Sequence, residues 1–212
     1  MKVLLVSPQT PDTFWSFKHV LRFVSKKSTF PPLGLLTVAA MLPREWQLKV
    51  VDLNVTRLRE EDLRQADVVM ISAMLVHEAS VREVVARCAA LGKRVIAGGP
   101  LFTTGHESFP EIQHFVLGEA EELMPQLVAD LQSGQVKRFY QAPNRPSLAL
   151  SPVPRWDLIN LKHYVTMAVQ FSRGCPFDCE FCDIIVMNGR TPRTKSPGQV
   201  IAELESLRVR GW

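Results

Sequence analysis

Apolar residues come in short, nearly unbroken runs through the first two thirds of the chain: residues 2–6 (KVLLV), 47–52 (QLKVVD), 67–72 (DVVMIS), 93–97 (KRVIA) and 113–117 (QHFVL). Runs of this length with little alternation predict strands buried on both faces. Between them the apolar positions fall at helical spacing, predicting helices over 33–42, 76–91 and 119–131 and a short one over 60–65. In the 76–91 segment Val81, Val84, Val85 and Cys88 share one face, and Leu91-Gly92 marks its end. Strands alternating with helices imply parallel strands joined by right-handed crossovers. The five runs fit an α/β fold, a flavodoxin-like doubly wound parallel five-stranded sheet that binds ligands beyond the carboxyl ends of its strands.

After Gly134 the pattern changes. Residues 135–141 suit an edge strand, and 142–154 hold four prolines with little periodicity, as a linker does. The chain therefore divides into a domain at 1–141, a linker at 142–164 and a second unit at 165–212. That unit opens on an apolar run over 165–171 that predicts a strand, passes through a cysteine-rich loop, and closes on an amphipathic helix over 197–208. Val200, Ile201, Leu204 and Leu207 lie on one face of the helix, with Ser196 placed to cap it and Pro197 at its first position.

Composition narrows the partners. Apolar residues at 46% and charged residues at 22% are ordinary for a globular protein. A net charge of +4 with one modest basic stretch, 190–195, reads as a solvated loop and argues against a nucleic-acid partner. No run of about eighteen apolar residues is present to form a transmembrane segment, and MKVLLVSPQT lacks a cleavage-type segment after it, so a cytoplasmic location is expected. Three of the four cysteines fall within eight residues, which points to a metal rather than to disulfides. Cys88, alone on the inner face of a helix, reads as a small core hydrophobe.

The cluster is Cys175, Cys179 and Cys182 in the frame SRGCPFDCEFCDI. Thiolates are the usual ligands of iron–sulfur clusters, and three of them leave one iron open. A zinc site completed by a histidine such as His163 uses the same ligands, although zinc ligands usually come as two separated pairs. The spacing, with aromatic Phe181 just before the last cysteine, resembles the radical S-adenosylmethionine (SAM) signature. That resemblance implies a 4Fe–4S cluster whose open iron binds SAM, a 5′-deoxyadenosyl radical as the product of cleavage, and Phe181 beside the SAM adenine. Arg173 and Asp183 flank the loop, where they either orient SAM or are satisfied locally.

A doubly wound domain ahead of such a loop resembles the cobalamin-dependent subclass. Ser72-Ala73-Met74 after the third strand and Gly98-Gly99 after the fourth look like the elements that receive cobalamin, with Gly118 after the fifth. Glycines let backbone approach a bulky ligand, and a serine hydroxyl can bond its nucleotide tail. The Asp-x-His-x-x-Gly motif is absent, and the corresponding SKKSTFPPLGLL has no histidine, so the resemblance implies cobalamin held with its base detached and without a histidine ligand. The ordered set FPPLGLLTVAAMLP, VDLN, ISAM, GGP, LGEAEE, PVPRWDLI and SRGCPFDCEFCDI is similar to the group that includes hopanoid C-2 methylases. Methyl transfer to an unactivated carbon of a small-molecule or lipid substrate is implied, with a reducing electron donor such as flavodoxin or ferredoxin. Only 48 residues follow position 164, against about 250 for a full eight-fold barrel, so they supply the first β/α unit of a partial barrel. The chain is expected to be the front of a longer enzyme, to expose the apolar face of its last helix, and to turn over poorly alone. Two other readings stay open: a cobalamin-binding or sensing module with a structural metal site, and a non-methylating radical SAM enzyme.

Overall fold

A computed structural model describes residues 1–13, 16–21 and 23–212. Its strands β1 (Lys2–Ser7), β2 (Gln47–Asp52), β3 (Val68–Ser72), β4 (Arg94–Gly98), β5 (His114–Leu117) and β6 (Phe139–Gln141) form one parallel sheet in the order β2-β1-β3-β4-β5-β6. The sixth strand is the edge strand expected in 135–141, shortened to the three residues that pair with Phe115, Val116 and Leu117. The helices are α1 (Lys18–Leu21), α2 (Leu33–Ala40), α3 (Glu60–Gln65), α4 (Glu78–Ala90), α5 (Pro100–Gly105), α6 (Met124–Ser133), α7 (Ile184–Asn188) and α8 (Pro197–Val209).

Successive strand side chains point to opposite faces, which builds two cores. Leu4, Val6, Val69, Ile71 and Phe115 pack under α3, α4 and α5 with Val81, Val84, Cys88 and Phe102. Val3, Leu5, Met70, Ile96 and Val116 pack under α2 and α6 with Leu35, Met124 and Leu127. Cys88 is fully buried, as expected of a core residue, and burial pushes its thiol up to about 11. The helix expected over 119–131 begins only at Met124, after a turn at 121–123 and with Pro125 in its first turn, and Glu119 and Glu121 before it bind partners described below.

The segment 142–164 is packed rather than slack. It carries three short 3₁₀ turns, its Trp156 is buried beside Leu36 and Leu207, and the Arg155 N–H donates to the Leu36 carbonyl at 3.1 Å.

Two expectations need correction in the last fifty residues. No strand forms over 165–171: only the N–H groups of Val165 and Thr166 reach neighbouring carbonyls, those of Ser28 and Thr29, each at 3.1 Å. A ladder needs a partner along its length, and the described residues offer one only as the two-residue antiparallel ribbon β7 (Ser172–Arg173) with β8 (Arg193–Thr194). The helix α8 forms where expected. Ser196 does cap it, accepting from the Gln199 N–H at 3.2 Å while Gln199 Oε1 accepts from the Ser196 N–H at 3.0 Å. Ile201 and Leu204 stand about half exposed, as expected of its apolar face, while Leu207 and also Glu203 are buried. Lys195, just before the helix, forms a buried ion pair with Glu203, and the neutralised pair takes the inner position. The second correction concerns the 190–195 stretch, where Arg193 and Lys195 are ion-paired and largely covered while Arg190, Thr191, Pro192 and Thr194 are exposed, so it is a solvated loop only in part.

Candidate functional site

The chain runs from β1 out to β2 and returns past β1 to β3, so the strand order reverses between β1 and β3. Connections there leave in opposite directions and open a crevice beyond the carboxyl ends. It is a cleft of about 340 Å³ lined by Ser7, Thr10, Asp52, Asn54, Met74 and His77, with Phe30 and Pro31 opposite. Asp52 is buried at its floor. One carboxylate oxygen accepts from the Asn54 backbone N–H (3.0 Å) and side-chain amide (2.8 Å), and the other accepts from the Tyr164 hydroxyl (3.0 Å). Burial raises the Asp52 carboxyl above its ordinary value despite these bonds. His77 Nδ1 accepts from the Met74 N–H at 3.2 Å and its Nε2 lies 3.3 Å from the Thr10 hydroxyl, an arrangement that suits the neutral ring with Nε2 protonated. Burial lowers its pKa in the same sense, with Asp52 opposing.

A second, narrower opening lies under α2 and α6 at the ends of β3, β4 and β5. It is an apolar seam of about 50 Å³ lined by Ser72, Gly98, Gly99, Gly118, Leu35 and Met124, among others. Four of the five residues expected to face cobalamin therefore meet in one place. Met74 instead lines the polar cleft. Gly99 has φ +91°, and a Cβ there would stand 2.9 Å from the Ala73 carbonyl and 3.0 Å from Ser72 Oγ. Only glycine lets the ends of β3 and β4 come this close. At Gly118, φ +85°, a Cβ would point into open space. The apolar, glycine-lined walls and the open space at Gly118 suit the end of a flat or extended ligand.

The cysteine loop lies between β7 and β8. Cys175 and Cys182 are partly buried, Cys179 is exposed, and none is in a disulfide. Phe181 is 92% exposed. Among the described residues no three His, Cys, Asp or Glu side chains stand close enough to hold a metal ion, so the loop displays its thiols without gathering them. Three accessible thiols within eight residues remain the donor set that an iron–sulfur cluster takes. The loop's base is narrow: Cys175 N–H donates to the Gly189 carbonyl at 3.0 Å, and a Cβ on Gly174 would lie 2.4 Å from the Thr191 carbonyl.

Arg173 finds its partners far from its own loop. Its guanidinium meets Glu119 at 2.7 Å and Glu121 at 2.7 Å, and Arg193 meets Glu119 at 2.5 Å. Burial would raise the Glu119 carboxyl, but the bonds from Arg193 and Arg173 outweigh it and hold the group below its ordinary value. Asp183 sits at the start of α7 without a side-chain capping bond. Sequence reasoning missed Asp52, His77, Tyr164, Glu119, Glu121 and Arg193 as site residues. The available signal was a carboxylate pair directly after a glycine at a strand end, in LGEAEE.

Residues 21–128, half of the chain, match the family model described as the B12 binding domain. An uncharacterised methyltransferase of Synechocystis is 44% identical over all of this chain. The hopanoid C-2 methylase of Rhodopseudomonas palustris is 31% identical over 97% of it, and the bacteriochlorophyllide d C-12(1)-methyltransferase of Chlorobaculum tepidum 24% over 99%. The chain spans 40%, 40% and 45% of the length of these relatives, respectively. No helix among the described residues is long and apolar enough to cross a membrane.

Proposed function

This chain belongs to the B12-binding domain family, and from that premise we propose that it is the cofactor-holding front of a cobalamin-dependent radical SAM methyltransferase acting on an unactivated carbon of a small-molecule or lipid substrate. The observation that carries the reading is where the cysteine loop is fastened. Both of its ends are tied to the carboxylates that follow Gly118, so the thiols and the glycine-lined seam share one edge of the sheet. Relatives named as methylases and methyltransferases support the same reading.

In this reading residues 1–141 hold cobalamin, 142–164 strap the sheet, and 165–212 begin the SAM-cleaving part. Cys175, Cys179 and Cys182 hold the 4Fe–4S cluster and Phe181 lies against SAM. Ser72, Gly98, Gly99 and Gly118 receive the cobalamin tail, and Met74 borders the neighbouring cleft. When bound, these groups supply reductive cleavage of SAM and transfer of a methyl group. The protein's own share is to orient them and keep water away. Gly118 leaves space, and the Asp52–Tyr164 bond ties the strap to the cleft floor. His77 is engaged with Thr10 and the Met74 backbone, in keeping with cobalamin held without a histidine ligand. A flavodoxin- or ferredoxin-type donor in a reducing cytoplasm completes the proposal. The test is anaerobic reconstitution of the full-length protein with iron and sulfide, reduction, and EPR with and without SAM. A reduced 4Fe–4S signal that changes on adding SAM is expected. Zinc in place of iron, or a signal indifferent to SAM, overturns the proposal.

A further inference from the structure

Arg173 and Arg193 stand directly opposite each other on the β7–β8 ribbon. Like charges so placed repel, and two residues per strand are far too few for a ribbon to stand alone. The support comes from the loop after β5. Arg193 bonds both oxygens of Glu119, at 2.9 and 2.5 Å, while Arg173 bonds one oxygen of Glu119 at 2.7 Å and one of Glu121 at 3.0 Å, the other Glu121 oxygen lying 2.7 Å from its guanidinium as an ion pair without a hydrogen bond. Two guanidinium forks against two carboxylates leave no net charge, and paired contacts of this kind fix orientation as well as distance. The four side chains are between 2% and 18% exposed, so water screens them little.

The grip extends into the loop's own backbone. Arg193 also donates to the carbonyls of Asn188 (3.0 Å) and Pro146 (2.6 Å), and Asn188 precedes the Gly189 whose carbonyl holds the Cys175 N–H. Glu119 in turn follows Gly118, which lines the seam. A short bonded path thus joins the seam to the first cysteine.

We propose that Glu119, Glu121, Arg173 and Arg193 are positioning residues that set the cysteine loop over the Gly118 end of the seam, a role that rests on reading that loop as the cluster loop. The alternative is general stabilisation of the fold. The test compares wild-type full-length protein with Glu119→Gln and with the double variant Glu119→Gln/Arg193→Gln, which leaves one fewer unpaired guanidinium and guards against a misfolded single variant. Hydrogen–deuterium exchange of residues 174–192 is followed against residues 78–90 of α4. Positioning predicts exchange at least about tenfold faster in 174–192 in whichever variant folds, with 78–90 unchanged, as loss of charge-assisted bonds opens one segment. At equal iron content, the EPR line shape recorded with SAM is also expected to differ from wild type. Unchanged exchange in 174–192, or an increase shared equally by 78–90, overturns the proposal. Exchange is read without cofactor, so a wild-type protein that binds zinc would sink the radical reading and leave the exchange result standing.

Discussion

The sheet domain and the cysteine-bearing segment are held by different forces. Residues of the sheet bury their apolar side chains on both faces, with Leu5, Val6, Phe102 and Phe115 fully covered. From residue 165 onward Phe177, Phe181, Ile201 and Leu204 remain between 52% and 92% exposed, and ion pairs do much of the fastening. Hydrophobic burial is non-directional and tolerates shift, whereas bidentate ion pairs specify one geometry. The lesson is that apolar burial builds the floor, while the cysteine loop is placed on it by directional ion pairs.

The largest effect is expected where the first kind of force is broken. Phe102 lies with its ring 5.1 Å from Phe109 and 6.0 Å from Phe115. Phe102→Ala should cost about 3–5 kcal/mol, seen as a lower denaturant midpoint for sheet and cysteine segment together. Loss confined to one region would break the comparison.

Next comes the buried pair of Lys195 and Glu203, whose side chains are 4% and 1% exposed. Glu203→Gln strands a buried ammonium and should cost about 3 kcal/mol, whereas Lys195→Met with Glu203→Met together should be close to neutral. Proteolysis within 165–212, compared with that of the sheet domain, would show whether the damage stays local as the contrast requires.

The smallest effect concerns Asp52. Its carboxyl is raised by burial, so ionising it in the folded state costs stability. That cost is absent below the ordinary aspartate range, grows as pH rises through it to the raised value, and then stays constant. Asp52→Asn removes the charge and should raise the unfolding temperature at pH 7 while changing it little near pH 3. A loss at pH 7 would mean that the bonds from Asn54 and Tyr164 outweigh the burial of the charge.

These same forces decide what could be read from the sequence. Continuous apolar runs such as KVLLV need no knowledge of their partners, so the five main strands were legible. The run at 165–171 looked like a strand by the same criterion, but a strand also needs a neighbour along its length, and this run meets the loop at 28–29 at one end and Lys195 at the other. The burial of Glu203 on α8 was not legible, because it depends on Lys195, eight residues earlier. The three cysteines were legible as a motif. The residues that place them were not, since Arg173 and Glu119 lie 54 positions apart and no periodicity connects them.

In the proposed function two cofactors lie side by side, one at the seam and one in the loop. The most direct measurement loads the full-length protein anaerobically with iron, sulfide and hydroxocobalamin, brings the corrin to the cob(II)alamin state, and records its EPR lines before and after the iron–sulfur cluster is reduced. Broadening or splitting of the cob(II)alamin lines when the cluster becomes paramagnetic is predicted. Two full signals that ignore each other, or a protein that retains only one of the cofactors, would contradict the account.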